Sequence, residues 1–250
     1  MNDPDARSDS TRDRWFPISR SEEVIGRHVA QAQLLGQEIV LWRDDTGAVN
    51  AWENRCPHRG VRLSIGFNTG TELRCQYHGW RFASGSGQCT YIPAHPTQKP
   101  ANTIRAAGYG CVERHGFVWA CLGPRTDGPE LPDWGAPQAT TLRSIVVDAP
   151  ASAVAQSLLQ SYRVATNDAP GVAFNASIST AAPDADGTEV TVTFLLQPAT
   201  AAQTVIHGVL HRRYAAAERV AVLRHHNSRL TALRDAIERA AHADTPSRTA

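Results

Sequence analysis

Two short stretches carry residue types that can hold a metal: Cys56-Pro-His58 and, after sixteen intervening residues, Cys75-Gln-Tyr-His78. Each offers one sulfur and one nitrogen. A [2Fe–2S] cluster of the His2Cys2 kind needs two thiolates on one iron and two imidazoles on the other, so this set closes without further residues. Tetrahedral zinc takes the same four ligand types. Zinc fingers, however, place cysteine with cysteine and histidine with histidine, the second pair on a helix, whereas each stretch here is mixed. The spacing favours the two-iron cluster over zinc. It favours both over two buried cysteines that happen to lie beside two ordinary histidines.

Ligands on two separate loops must be held by something stiff, and the surrounding pattern is β. Glu38–Arg43 reads as a strand, Asp44–Gly47 as a hairpin turn and Ala48–Trp52 as the returning strand, which runs into the first loop. Leu73–Tyr77 and Gly79–Phe82 flank the second loop. Ser84–Gly87 is a tight turn, Pro93–Pro100 a proline-broken loop, and Ile104–Val112 and Gly116–Cys121 are closing strands. The loop glycines Gly60 and Gly79 permit turns close to the metal.

The motifs Cys56-Pro-His58-Arg59-Gly60 and Cys75-Gln-Tyr-His78-Gly79-Trp80 resemble the Rieske domain of the Rieske non-haem iron oxygenases. They are less like the Rieske proteins of respiratory complexes, which carry one additional cysteine per loop; here Val61 and Tyr77 stand at those positions. The resemblance implies that Cys56 and Cys75 bind the inner iron and His58 and His78 the outer, more exposed one. Arg59 and Trp80 are then expected to support the cluster, Trp80 by packing beneath it. In the respiratory proteins the two additional cysteines form a disulfide; without that clamp, the potential is expected towards the low end of roughly −150 to +300 mV.

The rest of the chain bounds the setting. It has 250 residues, 42% apolar and 20% charged, with a net charge of +1, which is an ordinary globular balance and gives no reason to expect nucleic acid or a membrane as partner. No apolar run approaches a transmembrane span and the N-terminus lacks a signal-peptide core, so a cytoplasmic location is expected. Cys89, Cys111 and Cys121 read as small buried residues. The expected fold class is α+β: a tail (1–14), an all-β Rieske domain (15–123), a linker (124–140), a reduced antiparallel-sheet-plus-helix domain (141–243) resembling a truncated oxygenase catalytic domain, and a second tail (244–250).

Within that second domain Arg143–Asp148, Phe174–Thr180, Glu189–Leu196 and Thr204–Arg213 read as strands, with a turn at Pro183–Gly187. Ser152–Tyr162 reads as a short helix. Ala215–His242 reads as a long one, with Val220, Leu223, Leu230, Leu233 and Ile237 along one side.

In the oxygenases the cluster feeds a mononuclear iron held by two histidines and a carboxylate. The resemblance places that histidine pair shortly after the linker, yet no histidine occurs between His115 and His207. His207 and His211 on a strand would lie about 13 Å apart, too far to share one iron; they read as histidines of a solvent-facing or interface strand. His225 and His226, about 100° apart on a helix, read as solvated. Asp168 and Asp235 could supply a carboxylate, but not a triad. A mononuclear Fe(II) site in this chain is therefore not expected.

Three readings follow. The first is an electron-transfer or accessory subunit, fed by a reductase or ferredoxin and serving a full-length oxygenase subunit in an oligomer, a trimer by family resemblance. The second is a self-sufficient oxygenase whose non-standard iron site uses His207, His211 or Asp168. The third is a non-catalytic redox sensor or ligand-binding protein.

Overall fold

The hairpin that leads into the first metal-binding loop is the most regular part of the N-terminal region. In the computed structural model, which describes residues 11–124, 128–129, 139–162 and 177–243, the chain divides into two compact units, Met1–Glu130 and Leu131–Ala250.

The first unit is built from strands β1 (Phe16–Arg20), β2 (Val29–Leu34), β3 (Gln37–Arg43), β4 (Val49–Glu53), β5 (Phe67–Asn68), β6 (Glu72–Arg74), β7 (Arg81–Ala83), β8 (Cys89–Tyr91), β9 (Gly110–Arg114) and β10 (Phe117–Cys121). They form three antiparallel sheets, ordered β2-β3-β4, β5-β6-β7-β8 and β1-β10-β9. Strands β1, β2 and β5 were not anticipated. Strand β2 reads VAQAQL and remains mostly half-exposed, so it lacks a full apolar alternation and forms by pairing with β3 from Val29↔Trp42 to Leu34↔Gln37.

Polar side chains bracket the sheets together. Asp44 Oδ1 accepts from the backbone of Thr46 and Ala48 at 2.9 and 3.0 Å, closing the β3–β4 turn, while its Oδ2 accepts from the Ser84 hydroxyl after β7 at 2.5 Å. The buried Asn68 donates to the carbonyls of Arg43 and His28 at 2.7 and 3.2 Å. Arg43 meets Glu113 on β9 with two contacts of 2.7 Å, which raises the arginine's pKa and lowers the carboxylate's. Residues 11–14, read above as part of a tail, form a turn whose Arg12 carbonyl accepts from Gly123 N at 2.7 Å.

The second unit is one antiparallel sheet and two helices: β11 (Thr140–Thr141), β12 (Ile145–Val147), α1 (Ala151–Ser161), β13 (Ser177–Pro183), β14 (Glu189–Thr200), β15 (Gln203–Leu210) and α2 (Ala216–Ala243). The order is β11-β15-β14-β13, with β12 also on β15. Strand β11 begins before residue 141, because Thr140 pairs with Leu210. No helix of the described residues is long and apolar enough to cross a membrane.

The long helix packs the expected Leu230, Leu233 and Ile237 in the core with Leu223 partly buried against it, but its first turns depart from the expected side. Val220 is 61% exposed, whereas Val222, His226, Leu230, Leu233 and Ile237 are buried. His226 thus occupies a place in the apolar stripe and is not solvated, a correction to the sequence reading. Among the described residues its two ring nitrogens find no hydrogen-bond partner, and the nearer carboxylate oxygen of the buried Asp184 lies 3.6 Å away. Asp184 is already engaged by the Tyr214 hydroxyl and by Ala185 N at 2.7 Å. Burial, followed by repulsion from His225, depresses the His226 pKa to about 4, and the attraction of Asp184 does not offset this.

The sign of the linkage follows: a histidine kept neutral in the fold contributes stability that is present above its ordinary value of 6.5 and lost as pH falls towards about 4. Both α-helices belong to this unit, so circular dichroism at helix wavelengths follows its unfolding. The denaturation midpoint is expected to drop as pH falls from 7 to 5. A His226→Leu variant is expected to lose much of that dependence, and an unchanged pH profile would contradict the assignment.

Candidate metal centre

The two loops have the same backbone frame. In the first, Cys56 N donates to Val61 O and Gly60 N to Cys56 O, both at 2.8 Å; in the second, Cys75 N donates to Trp80 O at 2.8 Å and Gly79 N to Cys75 O at 3.1 Å. In both, the cysteine N–H reaches the carbonyl five residues on, and the glycine four residues on turns the chain. Gly60 and Gly79 have φ of 71° and 70°, a left-handed conformation that side chains strain. At Gly79 a Cβ would also press on Pro93 at 3.1 Å.

Each frame is anchored below. The second loop closes the β6–β7 hairpin, whose last pair is Arg74↔Arg81. The first follows β4 and is cross-tied by fully buried Asn54, which donates to Ser64 Oγ at 3.0 Å and accepts from Ser64 N at 2.8 Å. Arg62 adds a bidentate pair to Glu38 on β3, at 2.9 and 2.5 Å.

The frames sort the four side chains by type. Cys56 and Cys75 point down into an apolar cluster that includes Trp42, Trp52, Leu63, Leu73 and Phe82, and both are buried. Their thiols adjoin; burial chiefly, with the neighbouring Cys75, pushes the Cys56 thiol up to about 11. The backbone N–H groups of His58 and Arg59 hydrogen-bond the Cys56 sulfur and favour its thiolate. At the other end the imidazoles meet, His78 Nδ1 lying 3.0 Å from His58 Nδ1. Desolvation, then the neighbouring His78 and Arg59, lowers the His58 pKa and favours the neutral, ligating form.

Two aromatic rings cover the histidines. Trp80 stacks on His58 with centroids 4.4 Å apart and planes 9° from parallel. Tyr77 lies on His78 at 3.8 Å with a tilt of 33°. Trp80, expected to pack beneath the cluster, lies against the ring of His58; the contact of Tyr77 with His78 was not expected, because nothing in the spacing tells which way its ring turns. Arg59 is exposed, so its backbone serves the sulfur while its side chain faces solvent.

This donor set fits a [2Fe–2S] cluster. Sulfur is paired with sulfur and nitrogen with nitrogen, two donors for each of two metals, whereas zinc would draw all four to one point.

The remaining candidates are dispersed. His207, on β15, is buried and not on a solvent-facing strand, a second correction. Its Nε2 lies 2.9 Å from Gln197 Oε1 and its Nδ1 2.8 Å from Ser144 Oγ. An amide oxygen only accepts, so Nε2 carries the proton and Nδ1 accepts from the serine, leaving no lone pair for a metal. His211 Nε2 lies 2.8 Å from Thr193 Oγ1, and burial lowers its pKa. Asp235 pairs with Arg234 at 2.7 Å. Asp168, most of the linker and residues 163–176, where a histidine pair was looked for, lie outside the described residues. Among the described residues no three His, Cys, Asp or Glu side chains gather as a single-metal site requires.

Comparison with known proteins agrees with this geometry. Residues 14–106 match the Rieske [2Fe-2S] domain. Over 151 residues the chain is 51% identical to oxidoreductase NdmD of Pseudomonas putida, covering 59% of this chain and 26% of that protein. It is 41% identical over 123 residues to the 3-chlorobenzoate-3,4-dioxygenase oxygenase subunit of Comamonas testosteroni, covering 48% of this chain and 28% of that one. The matches thus span about a quarter of these relatives' length. Among solved structures, apo dicamba monooxygenase superposes with a TM-score of 0.74 at 22% identity, over 96% of this chain and 91% of that one, and NdmA of Pseudomonas putida CBB5 with 0.69 at 18%, over 96% and 84%. These likenesses extend the shared fold into the second, α+β unit. Residues 14–106 of this chain therefore carry a Rieske [2Fe–2S] domain, and among the proteins that this part of the chain resembles is a dioxygenase oxygenase subunit.

Proposed function

We propose that this chain is a one-electron relay, taking electrons from a reductase or ferredoxin and passing them to a mononuclear iron in a partner oxygenase subunit. The observation that carries the reading is the sorted donor set: buried Cys56 and Cys75 at one end, and His58 and His78 facing each other at 3.0 Å at the exposed end. A [2Fe–2S] cluster held there supplies reversible one-electron oxidation and reduction. The chain's own residues do the rest. The cysteines keep the inner end dry, the N–H groups of His58 and Arg59 stabilise the thiolate charge on Cys56, and the stacked Trp80 fixes the plane of the His58 ring. Exposure of the His78 ring leaves a short route to a protein partner.

The partner iron is part of the proposal because His207 and His211 already spend ring nitrogens on Gln197, Ser144 and Thr193. Relatives named as oxygenase subunits support the same assignment. An oligomer, a trimer by family resemblance, would bring the exposed histidines of one subunit to another's iron.

Cys75→Ser is expected to abolish the visible absorption and the paramagnetic signal, whereas Cys89→Ser, at a buried cysteine outside the frames, is expected to keep both. A surviving spectrum in Cys75→Ser would overturn the ligand assignment. His207→Ala is expected to leave the cluster spectrum and iron content unchanged while lowering the stability of the second unit by about 2 kcal/mol, through the stranded Gln197 and Ser144. Loss of bound iron in that variant would instead make His207 a metal ligand. A redox titration is expected to place the midpoint in the lower half of roughly −150 to +300 mV; a value near the top would mean stronger polar support of the sulfurs than the N–H groups on Cys56 provide.

A further inference from the structure

Buried polar atoms without partners gather in the second unit. Among the described residues the Tyr162 hydroxyl next to α1, both ring nitrogens of His226 and Asn227 Oδ1 on α2 lack hydrogen-bond partners, four of the seven such side-chain atoms. Arg229, one turn beyond His226, lies over the Tyr162 ring at 4.5 Å and so joins these atoms into one region. Each of them regains water when the helix lifts, so closing this part of the fold gains little from polar contacts.

The helix itself is held unevenly along its length. Residues 215–221 are all exposed, and Val222 is the first buried residue of α2. Its far half is firmly seated: Leu230, Leu233 and Ile237 pack in the core, and Glu238 accepts from Asp148 N at 3.0 Å. The near half is tied to the β13–β14 turn by two long contacts on one carbonyl, His225 Nε2 at 3.2 Å and Arg229 Nη1 at 3.3 Å from Pro183 O.

A proton on His226 would place a charge here with no free group to receive it. Both carboxylate oxygens of Asp184 are engaged, one by Ala185 N and one by the Tyr214 hydroxyl, and Arg212 approaches the same carboxylate at 3.8 Å. The other titratable or charged groups on this side are His225 and Arg229 on α2, Arg212 and Tyr214 on the connection from β15, and Tyr162. The arginines repel an imidazolium and the phenols do not neutralise it. A buried ion is stable only with a full partner, and Asp184 at 3.6 Å falls short of one.

We propose that His226 is a proton-operated latch: when its imidazole takes up a proton from water, the near half of α2, through Arg229, detaches from the β13–β14 turn and uncovers Tyr162 and Phe194, while the far half stays packed. Phe194 is uncovered with Tyr162 because the two rings meet edge to face at 4.7 Å. The latch lies wholly in the second unit and is independent of the relay reading. With the ring titrating near its ordinary 6.5 when released and at about 4 when packed, a drop from pH 7 to 5 raises the open fraction about twentyfold. A general loss of stability would loosen the whole unit alike, so the signature of the latch is where protection is lost.

The test is amide hydrogen exchange of the cluster-loaded full chain at pH 7 and pH 5, read by mass spectrometry and corrected for the intrinsic pH dependence of exchange. Amides of residues 222–229 are expected to lose protection about twentyfold, and those of 234–241 to keep theirs. His226→Leu and His226→Phe, which fill the same apolar place without titrating, are expected to show no such change. Equal loss in both halves of α2 would reduce His226 to a contributor to overall stability, and unchanged protection in 222–229 would mean that the proton does not open the helix. A His226 ring that titrates above 6.5 by nuclear magnetic resonance would mean that the charged imidazole closes on Asp184 and tightens the turn. Any of these three results overturns the proposal.

Discussion

The structure depends on one repeated constraint: a cysteine N–H bonded to the carbonyl five residues on, with a left-handed glycine one residue before that carbonyl. It occurs twice, at Cys56–Val61 and Cys75–Trp80. A two-iron cluster demands that sulfur be matched with sulfur and nitrogen with nitrogen. Two copies of one frame achieve this because each aims its cysteine inward and its histidine outward. The histidine sits two residues after the cysteine in one copy and three in the other, yet the rings converge. The frame is fixed by backbone, and the side chains between cysteine and glycine are free to differ, as Pro57 and Arg59 do from Gln76 and Tyr77.

What makes the frames stiff is the sheet beneath them. Trp42 and Trp52 pack edge to face at 5.2 Å under the cysteines, and the polar brackets at Asp44, Asn54 and Asn68 tie loop ends to strands that are distant in sequence. Buried hydrogen bonds of this kind are costly to break singly, so they pin relative positions more than they add net stability. The second unit uses the same device at His207, which joins Ser144 and Gln197 inside the sheet. It departs from it at His226, where an imidazole takes an apolar position with no hydrogen-bond partner among the described residues.

The metal site was legible in the sequence because its signal is one of residue type at fixed spacing, and neither depends on tertiary context. The regular strands β3 and β4 and both helices were legible for the same reason: their periods are local. What escaped depended on phase or on neighbours. On α2 the expected Leu223, Leu230, Leu233 and Ile237 do face the core, but the stripe begins at Val222 and takes in His226, and preferring apolar residues put Val220 in their place. His226 was assigned to solvent, and His207 to a solvent-facing or interface strand, because polar residues usually lie at surfaces; the groups that surround them, Asp184, Gln197 and Ser144, lie on other strands and loops. Strand β2 has too little apolar alternation to announce itself and is formed by its partner. Tyr77 was visible as a letter, but its exposure and its contact with His78 are properties of the folded loop.

The two units differ in what their histidines do. All four donors lie in the first, while in the second the best-placed histidines are spent on internal hydrogen bonds. The most direct test of the account is iron and acid-labile sulfide quantification on the purified chain, read together with its paramagnetic spectrum. Two irons and two sulfides per chain, with a Rieske-type signal on reduction, are expected. A stoichiometric third iron, or zinc in place of the pair, would contradict it.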